Sequence, residues 1–158
     1  MGSGDLDTTA LQVRLLGVPA AASIVRERIR AWLDGFGWPE DEADDVVLAV
    51  HEAVCNSIEH GYDGHPAGDV EVVGERSVDG DRQRVRIVVR DEGRWRRPRS
   101  PGYRGRGIVV MRGCMAGVDV RPGDTGTEVV LVSRPVPTVR ARTLPPAVTT
   151  TEVRTRLT

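Results

Sequence analysis

The chain has 158 residues and a formal net charge of −1, with 39% hydrophobic and 4% aromatic residues. That length suits one domain whose core is filled by Val, Leu, Ile and Ala, and the near-neutral charge argues against a general nucleic-acid binder. All 22 basic residues are arginine; without lysine, a Schiff base and the phosphate-binding motif GxxxxGK[ST] are both excluded.

In chain order, residues 11–16 alternate apolar and polar and read as a strand. Pro19 opens a helix that Gly35 and Gly37 end. Pro39, Glu40, Asp41 and Glu42 begin a second helix, reaching His60 and stopped by Gly61, with Val47, Val50, Val54 and Ile58 as its apolar stripe. Residues 70–77 and 84–90 form two strands around Asp79-Gly80-Asp81, a hairpin signal. A loop rich in Gly, Arg and Pro follows from Asp91 to Arg106, then a short helix over 108–115 and strands over 118–121 and 127–132. Clustered hairpins indicate an α+β fold: a two-layer sandwich of a mixed, mainly antiparallel sheet with helices on one face. Residues 1–10 read as a disordered start, the first four compatible with a cloning scar. Residues 11–134 read as the domain, and residues 135–158 as a Pro/Thr-rich tail or linker. Cys55 and Cys114 fall on helices and read as buried free thiols. No leader pattern and no apolar run of membrane-spanning length is seen, so a cytoplasmic protein without membrane contact is expected.

Glu52, Asn56 and His60 stand four apart and share one face of the second helix, beside the apolar stripe. Glu and Asn are common on solvated helix faces. The functional alternative is a carboxylate that activates a nucleophile, beside an amide oxygen for a hard cation such as Mg²⁺. His51-Glu52-Ala53-Val54-Cys55 also approximates HExxH, with zinc on His51 and Cys55 and a third ligand unidentified.

Asp91-Glu92-Gly93 ends a Val/Ile strand. It is either a plain strand-ending turn or a carboxylate that accepts from an amino group in a pocket, with Gly93 letting a flat ring approach the backbone. Gly102, Gly105 and Gly107 precede a helix whose N-terminal N–H groups suit phosphate. Between Arg94 and Arg106 lie six arginines and no acid. Such a loop is either solvated or built for a polyanion, and Trp95 and Tyr103 keep single-stranded nucleic acid as a competing ligand.

Taken in order, Glu52-x-x-x-Asn56, Asp91-x-Gly93, Gly105-x-Gly107 and Gly126-Thr127 resemble the four motif boxes of GHKL ATPases, the Bergerat ATP-binding fold. Residues 48–62 are most similar to the helix of the anti-sigma-factor serine kinases, and the resemblance covers about residues 11–134. It implies Glu52 as general base, Asn56 as the Mg²⁺ ligand and Asp91 as acceptor from the adenine amino group, with Thr127 nearby. It further implies an ATP-binding set of Asn56, His60, Asp91, Gly93, Arg104, Gly105, Arg106, Gly107, Ile108 and Thr127, with an ATP lid over 94–103. The family commonly shows Asp-x-Gly-x-Gly, whereas Trp95 stands at the second Gly here.

The function implied is an ATP-dependent serine kinase that phosphorylates a STAS-type anti-anti-sigma protein and binds a sigma factor. Arg26 on the first helix is a candidate partner contact, and a homodimer formed through the sheets is implied as well. The alternative is a non-catalytic nucleotide-sensing module that sequesters a regulatory partner. No His-containing dimerisation helix is seen before the domain, which argues against a complete histidine kinase.

Overall fold

The computed structural model describes residues 10–61, 68–93 and 105–139. The elements are β1 (Leu11–Leu16), α1 (Pro19–Asp34), α2 (Glu40–Gly61), β2 (Asp69–Asp79), β3 (Arg82–Asp91), α3 (Gly105–Cys114), β4 (Gly117–Gly123), β5 (Gly126–Val132) and β6 (Val136–Pro137). The N-terminal segment to residue 9, the arginine-rich stretch 94–104 with Trp95 and Arg104, and the tail from 140 lie outside the described residues.

Local chemistry sets the helix ends. Pro19 sits in the first turn of α1, where its missing N–H costs nothing. At the other end Gly37 adopts φ 68 and donates to Asp34 O at 3.1 Å, and Trp38 N donates to Leu33 O at 3.1 Å. This is the Schellman pattern, with glycine at its left-handed residue. The acids Glu40, Asp41 and Glu42 then occupy the positive first turn of α2.

The sheet order is β1-β2-β3-β5-β4, every pair antiparallel, with β6 added against β3. One face of the sheet packs on the helices. Val25, Ile29 and Leu33 of α1, Val46, Val50 and Val54 of α2, and Met111 of α3 join Val70, Val72, Ile87, Val89 and Leu131 in one core. Glycine at position 74 is a packing requirement: a β-carbon there would lie 2.8 Å from Cη2 of Trp32. Among the described residues, no helix is long and apolar enough to cross a membrane.

The other sheet face carries a charged row in register across all five long strands: Arg14, Glu71, Arg90, Glu128 and Arg121. Arg90 lies 2.7 Å from Glu128 and 3.8 Å from Glu71, and Arg121 lies 3.3 Å from Glu128. Hydrogen bonding from Arg90 holds the Glu128 carboxyl below its ordinary range. Exposed pairs of this kind add little stability singly, but opposite charges directly across strands fix register.

The chain keeps contributing to the sheet past residue 134, where the sequence reading placed a tail. Ser133 Oγ accepts from Val85 N at 3.0 Å, Val136 is buried opposite Gln83, and Thr138 N donates to Asp81 O at 2.8 Å. Gln83, itself buried, donates to Pro137 O at 3.1 Å. Arg134 donates to Gly113 O at 2.9 Å, at the end of α3. Pro and Thr weaken apolar periodicity, so a two-residue strand held by one buried valine leaves no pattern to read.

Two outcomes follow for thermal unfolding by circular dichroism. A chain cut after Arg134 is expected to melt roughly 5 °C below one cut after Val139, because Val136 burial and its ladder are lost. Gly74→Ala is expected to destabilise by about 1–3 kcal/mol, since the Trp32 ring must move in a packed core.

Candidate functional site

The site is assembled around α2. Its helical phase turns Ala53, Val54 and Ser57 into the core and leaves Glu52 and Asn56 half-buried at the core's edge. The first turn of α3 closes onto that edge. A β-carbon at Gly107 would lie 3.0 Å from Asn56 Nδ2 and 3.3 Å from Glu52 Oε2. The helix N-terminus therefore meets the carboxylate and amide directly, and a side chain at position 107 would press on both. Its unbonded N–H groups give this end a partial positive charge.

The second half of the site lies where β3 and β5 end. Asp91 continues the helix-facing register of Val85, Ile87 and Val89 and is only 6% exposed. Its Oδ1 accepts from Gly93 N at 3.0 Å and Thr127 N at 3.3 Å, and the Ser57 hydroxyl hydrogen-bonds to the same carboxylate. Burial pushes the Asp91 carboxyl above its ordinary range, against these three hydrogen bonds, which pull it down. Thr127, the register partner of Asp91, has a buried hydroxyl with no hydrogen-bond partner among the described residues. Gly126 makes the turn into β5 against this point. A β-carbon there would fall on the Asp91 carbonyl oxygen and 2.9 Å from its carbon.

Several sequence candidates are thereby brought together: Glu52, Asn56 and Gly107 in one cluster, and Asp91, Gly93 and Thr127 in another. Gly105 begins α3 and His60 lies in the last turn of α2. Arg106 is exposed, and the Ile108 side chain packs against the core. Arg26 is exposed on α1, donating to Ser23 Oγ at 3.1 Å. His51 and Cys55 do meet, with Sγ 3.4 Å from Nε2. No third His, Cys, Asp or Glu completes a metal cluster with them among the described residues, and burial pushes the Cys55 thiol up, which disfavours the thiolate that zinc needs.

Sequence reasoning passed over Ser57. It lies at i+3 from Val54 and i+4 from Ala53, inside the apolar stripe, and a hydroxyl at such a phase is the signal that marks it. Gly126 was seen only as part of a motif, and its steric necessity appears only when β5 meets β3.

This arrangement offers a buried acceptor and an unsatisfied hydroxyl to a polar ring edge, and a helix N-terminus with a carboxylate and an amide to an anionic group. The model of the histidine kinase-like ATPase domain family matches residues 18–133, and the chain belongs to that family. Among curated proteins, it is 29% identical over 83 residues to the serine-protein kinase RsbW of Bacillus pumilus, covering 52% of this chain and 50% of the relative. It is 34% identical over 71 residues to the anti-sigma F factor of Bacillus cytotoxicus, covering 45% and 46%. Among solved structures, it superposes on the RsbU and RsbW domains of Rv1364c from Mycobacterium tuberculosis with a TM-score of 0.63 and 28% identity, covering 82% of this chain and 33% of that one. The chain thus spans about half the length of the curated relatives it matches.

The buried Asp91 has a stability consequence whose sign is defined. Its folded-state pKa is raised above the unfolded value, so the protonated form is favoured by folding. That contribution is complete below the unfolded pKa and is lost as pH rises through the folded one. Asp91→Asn is therefore expected to leave the nucleotide-free protein as stable as the wild type, or more stable, at pH 7. The difference should shrink toward pH 4. Melting temperatures measured from pH 4 to 8 check this, and a clear loss of stability at pH 7 would count against the carboxylate being kept for a ligand.

Proposed function

We propose that the domain is an ATP-dependent protein-serine kinase of the anti-sigma-factor type, working in the cytoplasm. It phosphorylates a STAS-type anti-anti-sigma protein and binds a sigma factor. The observation that carries the reading is the contact of Gly107 with both Glu52 and Asn56, which unites a base, a cation ligand and a helix N-terminus. The names of its relatives, a serine-protein kinase and an anti-sigma factor, support it.

The residues present fit ATP. Asp91 accepts from the adenine amino group, Thr127 has a hydroxyl to offer the same edge, and Gly93 lets the ring approach. Gly105, Arg106 and Gly107 receive the phosphates at the α3 N-terminus, with Ile108 contributing through its backbone; His60 and Arg104 complete the binding set. The Asn56 side-chain oxygen is the ligand for Mg²⁺, which when bound neutralises phosphate charge. Glu52 takes the proton from the substrate serine hydroxyl as its oxygen bonds to the γ-phosphorus. The bond to the β–γ bridging oxygen breaks and ADP leaves with that electron pair. Positioning and charge stabilisation suffice for such a transfer. Arg26 is proposed as a partner contact. A homodimer formed through the open sheet faces is proposed as well.

Transfer from labelled ATP to a cognate STAS protein tests the reading. Glu52→Ala is expected to lower transfer by about 10²-fold or more while ADP binding is retained, because only proton removal is lost. Nucleotide binding with no transfer from the wild type would instead make the domain a non-catalytic switch. Absence of nucleotide binding would overturn both readings.

A further inference from the structure

Helix α3 has little of its own to hold it in place. Its 10 residues include Gly105, Gly107 and Gly113 and the β-branched run Ile108, Val109 and Val110. Such a sequence is a weak helix former, and the helix is too short to be stable alone. Its position therefore depends on docking. At the near end Gly107 lies against Glu52 and Asn56, and Ile108 and Met111 then pack into the core.

At the far end the partner is Arg134. Its Nη2 donates to the Gly113 carbonyl at 2.9 Å, and its Nη1 lies 3.9 Å from Asp45 Oδ2 on α2. Gly113 O belongs to the last turn, whose carbonyls lack partners within the helix and where a cation is favoured. The guanidinium fork thus bridges the end of α3 to the second turn of α2.

An exposed ion pair such as Arg134–Asp45 contributes little alone. What gives this one leverage is the anchoring of the backbone behind it. Ser133, itself buried, accepts at Oγ from Val85 N at 3.0 Å and donates to Arg134 O at 3.0 Å. Two residues further on, Val136 is buried opposite Gln83 of β3. Arg134 therefore reaches α3 from a backbone tied to β3 on both sides. Gly113, by contrast, has no packing reason to be glycine. A β-carbon there would meet nothing within 4 Å, and its φ is not positive.

We infer that Arg134 is a positioning residue for the phosphate end of the site: it clamps the far end of α3 to α2 and so keeps Gly107 on Glu52 and Asn56. The clamp and that contact are separated by roughly 9 Å along the helix axis. This rests on the nucleotide reading above and adds to it a residue beyond β5 that acts through α3.

The test uses Arg134→Ala, alone and combined with Gly113→Ala, with two readouts. In nucleotide-free protein, amide hydrogen exchange is followed by NMR. Arg134→Ala is expected to speed exchange in α3 about three- to tenfold, the range of one hydrogen bond, with α2 and the sheet unchanged. With nucleotide, affinities for ADP and for adenosine, which lacks the phosphates, are compared. Arg134→Ala should lower ADP affinity about three- to tenfold and leave adenosine affinity as it is. Adding Gly113→Ala should restore part of the ADP affinity, because alanine strengthens the helix without replacing the clamp. Unchanged α3 exchange, equal losses for ADP and adenosine, or no restoration by Gly113→Ala overturns the inference. If the wild type binds neither ligand, the nucleotide reading and the positioning role fall together. The exchange then still decides whether Arg134 holds α3.

Discussion

A carboxylate placed in the apolar layer between sheet and helices constrains everything around it. Asp91 follows Val85, Ile87 and Val89 on the helix-facing side of β3, where an acid is disfavoured unless its oxygens are matched. The match comes from three directions: the chain turning back at Gly93, the start of β5 at Thr127, and α2 at Ser57. Each donor demands a local geometry, and β5 can begin so close to the Asp91 carbonyl only because position 126 is glycine. A carboxylate held at such cost is a candidate for a ligand site, since folding alone would be served as well by an amide.

Helix α2 has the same double character along its length. Its inward stripe is the centre of the core, touching α1, α3 and the sheet, while Glu52 and Asn56 stand one position away from that stripe. Rigidity of the core is thus transmitted to the two residues proposed to carry the chemistry. Helix α3 is docked onto the same edge and held at its far end by Arg134, so the packing of the chain beyond β5 bears on the geometry at Gly107. The opposite sheet face has no such demands, and its surface is a ladder of paired Arg and Glu side chains.

Much of the fold was legible locally. The Asp79-Gly80-Asp81 hairpin, the proline starts and the Gly37 stop each depend on one or two residues with restricted dihedrals, so they show in the sequence. Apart from β1, whose bounds are as expected, the strands are longer than alternation suggested, β3 running to Asp91 itself, because ladder pairing extends strands past the last apolar residue. Helix α3 starts at Gly105, three residues before the expected start at Ile108, since two glycines hide a first turn that docking on α2 stabilises. Strand β6 was invisible because its pairing with Arg82 and Gln83 lies more than fifty residues away in sequence.

For the site, the sequence by itself determined that Glu52 and Asn56 share a helix face, that Asp91 ends a buried strand, and that glycines precede a third helix. These follow from backbone periodicity and from the dihedral freedom of glycine, which act over a few residues. Only the tertiary structure decided that Gly107 meets Glu52 and Asn56, that Ser57 meets Asp91, and that Gly126 must lack a side chain. Those facts belong to contacts between elements 34 to 55 positions apart. No local pattern encodes such a distance; the shared burial of α2, α3 and the sheet in one core sets it.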